Sequence, residues 1–281
     1  MICISNPLQN EPISTLGYQI FSTLITSNQT KNSMSKIGLV LGGGGARGFA
    51  LLGVVKALYE KNIFPDMISG VSAGALAGVF LADGKTPDAI HELFKHTKFF
   101  SFPSIHLPMT GLMSIDHITK TLDENITVKD LKDLRIPFFA AASNLNAGRI
   151  EYFNQGPLST IITASASIPV VFAPVKINGN LYADGGVFDN LPVAPLLGKC
   201  DKIIAVHVTP FQHLDKIGNL VQIATRTFHL MVNASTEHTV EKCDVLIEPR
   251  ELTNFEIWDV SKADEMFAVG YEYTKQMKIL L

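Results

Sequence analysis

Positive charge is scarce in this sequence: 23 Lys and Arg stand against 26 Asp and Glu, a net charge of −3 over 281 residues. A chain without basic excess has no general field for nucleic acid, and that class of partner is set aside. Cysteine is rarer still. Cys3, Cys200 and Cys243 are too few and too scattered for a disulfide framework or a zinc site, and reduced thiols in a cytoplasm are the simplest expectation. No apolar run reaches the roughly 18–20 residues needed to cross a bilayer. The short apolar stretch Tyr18–Ile25 has no basic residue before it, so a secretory signal is not expected. No loop carries the spaced Asp, Asn and Glu oxygens of a calcium site, and no Gly-Lys-Ser/Thr marks a Walker loop; neither metal nor cofactor is expected.

What is abundant is apolar. Hydrophobic residues make up 47% of the chain and charged ones 17%, which fits a sheet covered on both faces or an enzyme with a greasy site. Residues 1–33 differ from the rest in being rich in Ser, Thr, Asn and Gln, and read as a weakly ordered extension. From residue 34 onward, strands alternate with helices without an internal repeat or a clear linker. The expectation is one α/β domain over 34–281, with a largely parallel sheet between helices. Phe99 to Met113 is aromatic, proline-punctuated and free of Lys, Arg, Asp and Glu. It reads either as a core crossover or as an apolar flap that touches lipid or a membrane surface.

The strand Lys36–Leu41 runs into Gly42-Gly43-Gly44-Gly45-Ala46-Arg47-Gly48, and a helix to Glu60 follows. The spacing Gly43-x-Gly45-x-x-Gly48 matches a dinucleotide loop. That use requires an acidic residue at the end of the second strand, where this chain has Ser69-Gly70-Val71-Ser72. The other use of such a loop is to aim bare backbone N–H groups at one oxygen. Gly43, Gly44 and Gly45 are therefore the candidate oxyanion donors, each typically worth about 3 kcal/mol of transition-state stabilisation.

The second strand, read over Phe64–Ser69, leads to Gly70-Val71-Ser72-Ala73-Gly74 and a helix of small residues. A serine in that turn is either a helix cap or a nucleophile exposed on a strained bend, with Gly70 and Gly74 making room. A nucleophilic serine needs a base. None of the eight histidines sits in a glycine-rich turn of the kind that presents a triad histidine. Asp184, after an apolar hairpin and before Gly185-Gly186, is either a surface Asp-Gly turn or that base.

In this order, Gly43-Gly44-Gly45-Ala46-Arg47-Gly48, Gly70-Val71-Ser72-Ala73-Gly74 and Asp184-Gly185-Gly186 resemble the motifs of the patatin-like phospholipase family. Ser165-Ala166-Ser167-Ile168-Pro169 and Asn190-Leu191-Pro192 also look familial, and the likeness spans about Lys36 to Cys243, nearest to small bacterial members. The resemblance implies a three-layer α/β/α sandwich and a Ser72–Asp184 dyad in place of a triad. It implies a hydrolase acting on phospholipid, lysophospholipid or another fatty-acyl ester; with the cysteine and loop readings above, a cytoplasmic, metal-independent enzyme is expected, peripheral to the membrane where residues 99–113 touch it. A small-ester carboxylesterase or thioesterase, or a non-catalytic lipid-binding protein of the same fold, are the alternatives. Arg47 stands open between binding a phosphate head group and bracing the loop.

Overall fold

The computed structural model describes residues 35–97, 116–169, 171–211, 217–218 and 220–281. The N-terminal extension 1–33 and the whole apolar stretch 99–113, together with its expected lipid contact, lie outside the described residues.

Eight strands form one sheet among the described residues: β1 (Ile37–Leu41), β2 (Met67–Val71), β3 (Phe138–Asn144), β4 (Arg149–Phe153), β5 (Val175–Ile177), β6 (Asn180–Asp184), β7 (Lys202–Val206) and β8 (Val245–Ile247). Their order is β5-β6-β3-β2-β1-β7-β8, with β4 paired to β3. The five strands from β3 to β8 run parallel, as alternating strands and helices predict. The other end is antiparallel, so the sheet is mixed. Short turns at Asn144–Gly148 and Asn178-Gly179 build that end, because a turn of a few residues can return a strand only in the antiparallel sense.

The sheet separates two apolar layers. Leu39 and Leu41 of β1 and Ile204 and Val206 of β7 enter the larger core, while Val40, Ile203 and Ala205 enter a smaller one with Leu191, Val193 and Leu196. This alternation is the two-residue period of a strand, and both sides being apolar explains the continuous hydrophobic runs of the parallel strands. The helices are α1 (Gly48–Glu60), α2 (Ala73–Asp83), α3 (Pro87–His96), α4 (Asp116–Asn125), α5 (Leu158–Ser165), α6 (Leu220–Val240) and α7 (Ala263–Gln276). Helix α2 is buried all round over Ala73–Ala82, as its small residues allow. Helix α7 closes on α1 with backbone nearly touching backbone. A Cβ on Gly53 would lie 2.0 Å from the Phe267 carbonyl oxygen, and one on Gly270 would lie 2.1 Å from that of Ala50.

Element ends shift where side chains take over backbone partners. The second strand starts at Met67, later than the apolar run, and extends into the serine motif to Val71. Pro65 has no N–H to pair, and Asp66 spends its carboxylate on the Ile37 N–H at 2.7 Å.

Candidate active site

Parallel strands bring the C-terminal ends of β1 and β2 together, because Leu41 pairs with Gly70. What leaves β2 is a sharp bend. Ser72 has φ 53° and ψ −125°, a left-handed conformation that a side-chain-bearing residue holds only when its surroundings force it. The flanking glycines supply that surrounding. A Cβ on Gly70 would lie 2.5 Å from the Gly74 carbonyl oxygen, and a Cβ on Gly74 only 2.0 Å from that of Leu41. Ser72 stands at the N-terminus of α2, yet its side chain makes no capping hydrogen bond. The capping explanation of this serine therefore fails, and the hydroxyl is left to the cavity.

Ser165 fixes the bend from below. Its hydroxyl accepts the Ser72 N–H at 3.1 Å and donates to the Ala141 carbonyl at 2.7 Å. Two residues on, the Ser167 carbonyl accepts the Asp184 N–H at 2.8 Å. One short segment at the end of α5 thus anchors both candidate catalytic residues.

Asp184 ends β6 and is 1% exposed, so it is no surface turn. Its Oδ1 accepts the Gly186 N–H at 2.8 Å, whereas Oδ2 is buried without a hydrogen-bond partner in the protein. Burial pushes its carboxyl up to about 7, against the opposing pull of the neighbouring Ser72 hydroxyl and the Gly186 N–H. The Ser72 hydroxyl thus lies beside the carboxylate it favours in its ionised form. A Cβ on Gly185 would meet the Ala141 carbonyl oxygen at 2.5 Å and Val71 Cγ2 at 2.8 Å, so the Asp-Gly-Gly turn fits against β2 and β3 only as glycine.

In the glycine loop the three candidate donors are not equivalent. The Gly43 N–H faces the Asn190 carbonyl at 3.4 Å, and the Ala46 N–H donates to Ile257 at 2.7 Å. Between them the N–H groups of Gly44 and Gly45 have no protein acceptor among the described residues. Gly45 is left-handed, with φ 57°, and a Cβ there would lie 2.5 Å from the Ile257 carbonyl oxygen. Arg47 is 5% exposed. Its Nε and Nη2 both donate to the Phe255 carbonyl, at 2.9 and 2.7 Å. Burial lowers its guanidinium to about 10, partly offset by Glu256. The arginine braces the loop against the segment 255–258.

These pieces line one small cavity, with Gly43, Gly44, Gly45, Ser72 and Asp184 on one side and His229, Val232, Ile257 and Trp258 on the other. Local sequence does not mark this second wall, nor Thr209 or the place of Asn190 against Gly43. His229 sits at a helical position with no motif around it, and Trp258 arrives from more than 180 residues downstream of Ser72. The only readable hint was the Asn190-Leu191-Pro192 stretch. Burial, then Arg47 and Arg226, lower His229 to about 4, which leaves its ring neutral at pH 7. A larger cavity of about 510 Å³ opens beside His207, Phe211, Glu248 and Arg250.

The family model for patatin-like phospholipases matches residues 39–197, from the first strand through the Asp-Gly-Gly turn. The chain belongs to that family. It is 35% identical over 178 residues to an uncharacterised NTE family protein of Mycobacterium bovis, covering 62% of this chain and 49% of that one. It is 26% identical over 277 residues to lysophospholipase NTE1 of Meyerozyma guilliermondii, covering 87% of this chain but 19% of the yeast protein. The chain thus spans half or less of the length of these relatives. Among solved structures, VipD from Legionella pneumophila superposes with a TM-score of 0.52 at 16% identity, over 86% of this chain and 66% of that one, a likeness of fold. No helix among the described residues is long and apolar enough to cross a membrane.

Proposed function

We propose that this protein is a serine acyl hydrolase of lipid esters, with Ser72 as nucleophile, Asp184 as general base and the N–H groups of Gly44 and Gly45 as oxyanion hole. The observation that carries this reading is the unpartnered, buried Oδ2 of Asp184 beside a strained serine whose hydroxyl caps nothing. A base with a pKa near 7 accepts a proton at neutral pH far better than an ordinary carboxylate would. Membership of the patatin-like phospholipases and the name of the yeast relative favour a phospholipid or lysophospholipid substrate.

Ser72 Oγ attacks the acyl carbon while its proton passes to Asp184 Oδ2, and the carbonyl oxygen takes up negative charge against Gly44 and Gly45. Collapse breaks the ester bond and expels the alcohol or lysolipid, which takes the proton from Asp184. Water then attacks the acyl-enzyme, giving its proton to Asp184. Ser72 recovers that proton as the fatty acid leaves. The α2 N-terminus adds a favourable dipole to the developing anion.

The test is hydrolysis of p-nitrophenyl esters of increasing acyl length, followed by lysophospholipid, with Ser72→Ala and Asp184→Asn beside wild type. Activity that rises toward long chains and falls at least about a thousandfold in both variants supports the reading. Activity on acetate alone points to a small-ester hydrolase. Turnover that survives Ser72→Ala overturns the nucleophile.

A further inference from the structure

Resting on that reading, we infer that Asn190 is a positioning residue for the oxyanion hole, and that it is itself held by a polar chain running through Thr209 and His207 to Glu248. Asn190 grips the Gly43 residue at both ends. Its backbone carbonyl faces the Gly43 N–H at 3.4 Å, and its Nδ2 faces the Gly43 carbonyl at 3.5 Å. Its Oδ1 packs on the same spot, where a Cβ on Gly43 would come within 2.5 Å. On the other side of that imagined Cβ, at 3.1 Å, is Ser72 Cβ. The Gly43 backbone is therefore wedged between Asn190 and the nucleophile.

The consequence follows from the planarity of the peptide. The Gly43 carbonyl and the Gly44 N–H belong to one trans unit and point in opposite directions. Holding the carbonyl toward Asn190 turns the Gly44 N–H away from Asn190, and it is one of the two loop donors with no protein acceptor. The two contacts are long, so each is weak alone. The orientation depends on the Asn190 amide being held the right way round.

That orientation is dictated from the far end. Glu248 Oε1 lies 2.7 Å from His207 Nδ1, and a carboxylate can only accept, so Nδ1 carries the ring hydrogen. In the neutral imidazole Nε2 then accepts from the Thr209 hydroxyl at 3.0 Å. Having given its hydrogen to His207, Thr209 Oγ1 accepts from Asn190 Nδ2 at 3.3 Å. The amide nitrogen must therefore face Thr209 and the Gly43 carbonyl, and Oδ1 must face Gly186, where a Cβ would lie 2.9 Å away. With the ring in that tautomer, each of these four contacts pairs a donor with an acceptor. His207, Asn190 and Thr209 are all buried, and His207 and Glu248 reach the larger neighbouring cavity.

The experiment compares wild type with Asn190→Asp, which keeps the shape and removes the donor, and Thr209→Val, which keeps the shape and removes the acceptor for Nδ2. Functional sites are counted first by fluorophosphonate titration run to completion, so that misfolded protein does not enter the rates. Expected per titrated site is a ten- to hundredfold lower kcat in Asn190→Asp, with KM within about twofold, and a several-fold loss in Thr209→Val. Affinity for a trifluoromethyl ketone, whose adduct carries the tetrahedral oxyanion, should fall by the same factor as kcat/KM. A kcat per site within twofold of wild type in Asn190→Asp overturns the inference. So does a kcat loss with unchanged ketone affinity. Wild type that neither hydrolyses esters nor reacts with the fluorophosphonate fails at the earlier step, by overturning the hydrolase reading itself.

Discussion

Val71 and Asp184 register against consecutive residues of one strand: Val71 pairs with Ala141 in parallel, and Asp184 pairs with Ala142 in antiparallel. Strand β3 passes from β2 to β6 at the point where β2 bends into Ser72, so a single strand sets the distance from the bend to the carboxylate. The proposed dyad, with Asp184 ending β6 and Ser72 one residue past β2, is held more firmly than one built on loops. That rigidity has a kinetic consequence. With the base at about 7, kcat/KM should rise tenfold per pH unit below that value and level off above it, because only the ionised carboxylate accepts the Ser72 proton. Replacing His229 by Gln should leave the ascending limb in place, since its ring is neutral until about pH 4. A pH-rate profile of both proteins on one soluble ester checks this. Loss of the limb in His229→Gln would assign the base to the histidine.

Burying an unpaired carboxylate weakens the fold. A carboxyl raised from 3.8 to about 7 keeps its proton in the folded state after the unfolded chain has lost its own. Stability therefore falls as pH rises from about 4 to about 7 and is flat beyond. The cost by pH 8 is about 4 kcal/mol at most. Asp184→Asn removes the charge and can still accept the Gly186 N–H, so it should be inactive yet melt several degrees higher than wild type at pH 8. At pH 4 the two melting curves should nearly coincide. Equal differences at both pH values would show that the carboxylate is not strained by burial.

Gly74→Ala should act in the opposite sense. The added methyl would stand 2.0 Å from the Leu41 carbonyl oxygen, and that atom belongs to the backbone of a central strand. Neither side can give way without moving β1 or the bend. Overpacking of this kind costs about 1–3 kcal/mol or more, a fall in Tm of roughly 2–12 °C for a domain of this size. Thermal unfolding by circular dichroism measures it, and the surviving folded fraction should turn over slowly because the shift passes directly to Ser72.

The motifs were legible because they are local. Gly43 to Gly48, Ser72 between its glycines and Asp184 before Gly185 each declare a backbone constraint in consecutive residues. The parallel strands were legible too, through their unbroken apolar runs. The mixed edge of the sheet was only half readable, since the apolar hairpin before Asp184 was visible but its attachment to β3 was not. The far wall of the cavity was silent. His229, Val232, Ile257 and Trp258 hold helical or loop positions that look ordinary, and nothing in their neighbours shows that they face a serine far away in sequence. The unequal glycines were equally hidden, since the acceptor that occupies Gly43 lies at Asn190.

The far wall is tied to the near one by Arg47. Its guanidinium gives two donors to the Phe255 carbonyl, while the Ala46 N–H holds Ile257. Together they press the segment carrying Trp258 onto the glycine loop. Lysine offers a point charge on a flexible stem and cannot present Nε and Nη2 side by side. Arg47→Lys should therefore cost about 1–3 kcal/mol and loosen the segment 255–258 while leaving the charge in place. Trp258 is the one tryptophan of the chain, so its fluorescence reports on that segment without interference. Its emission should shift to the red and become more accessible to acrylamide in Arg47→Lys, with kcat reduced through the displaced loop. Unchanged emission and quenching together with full activity would show that the loop and the segment hold their places without the arginine.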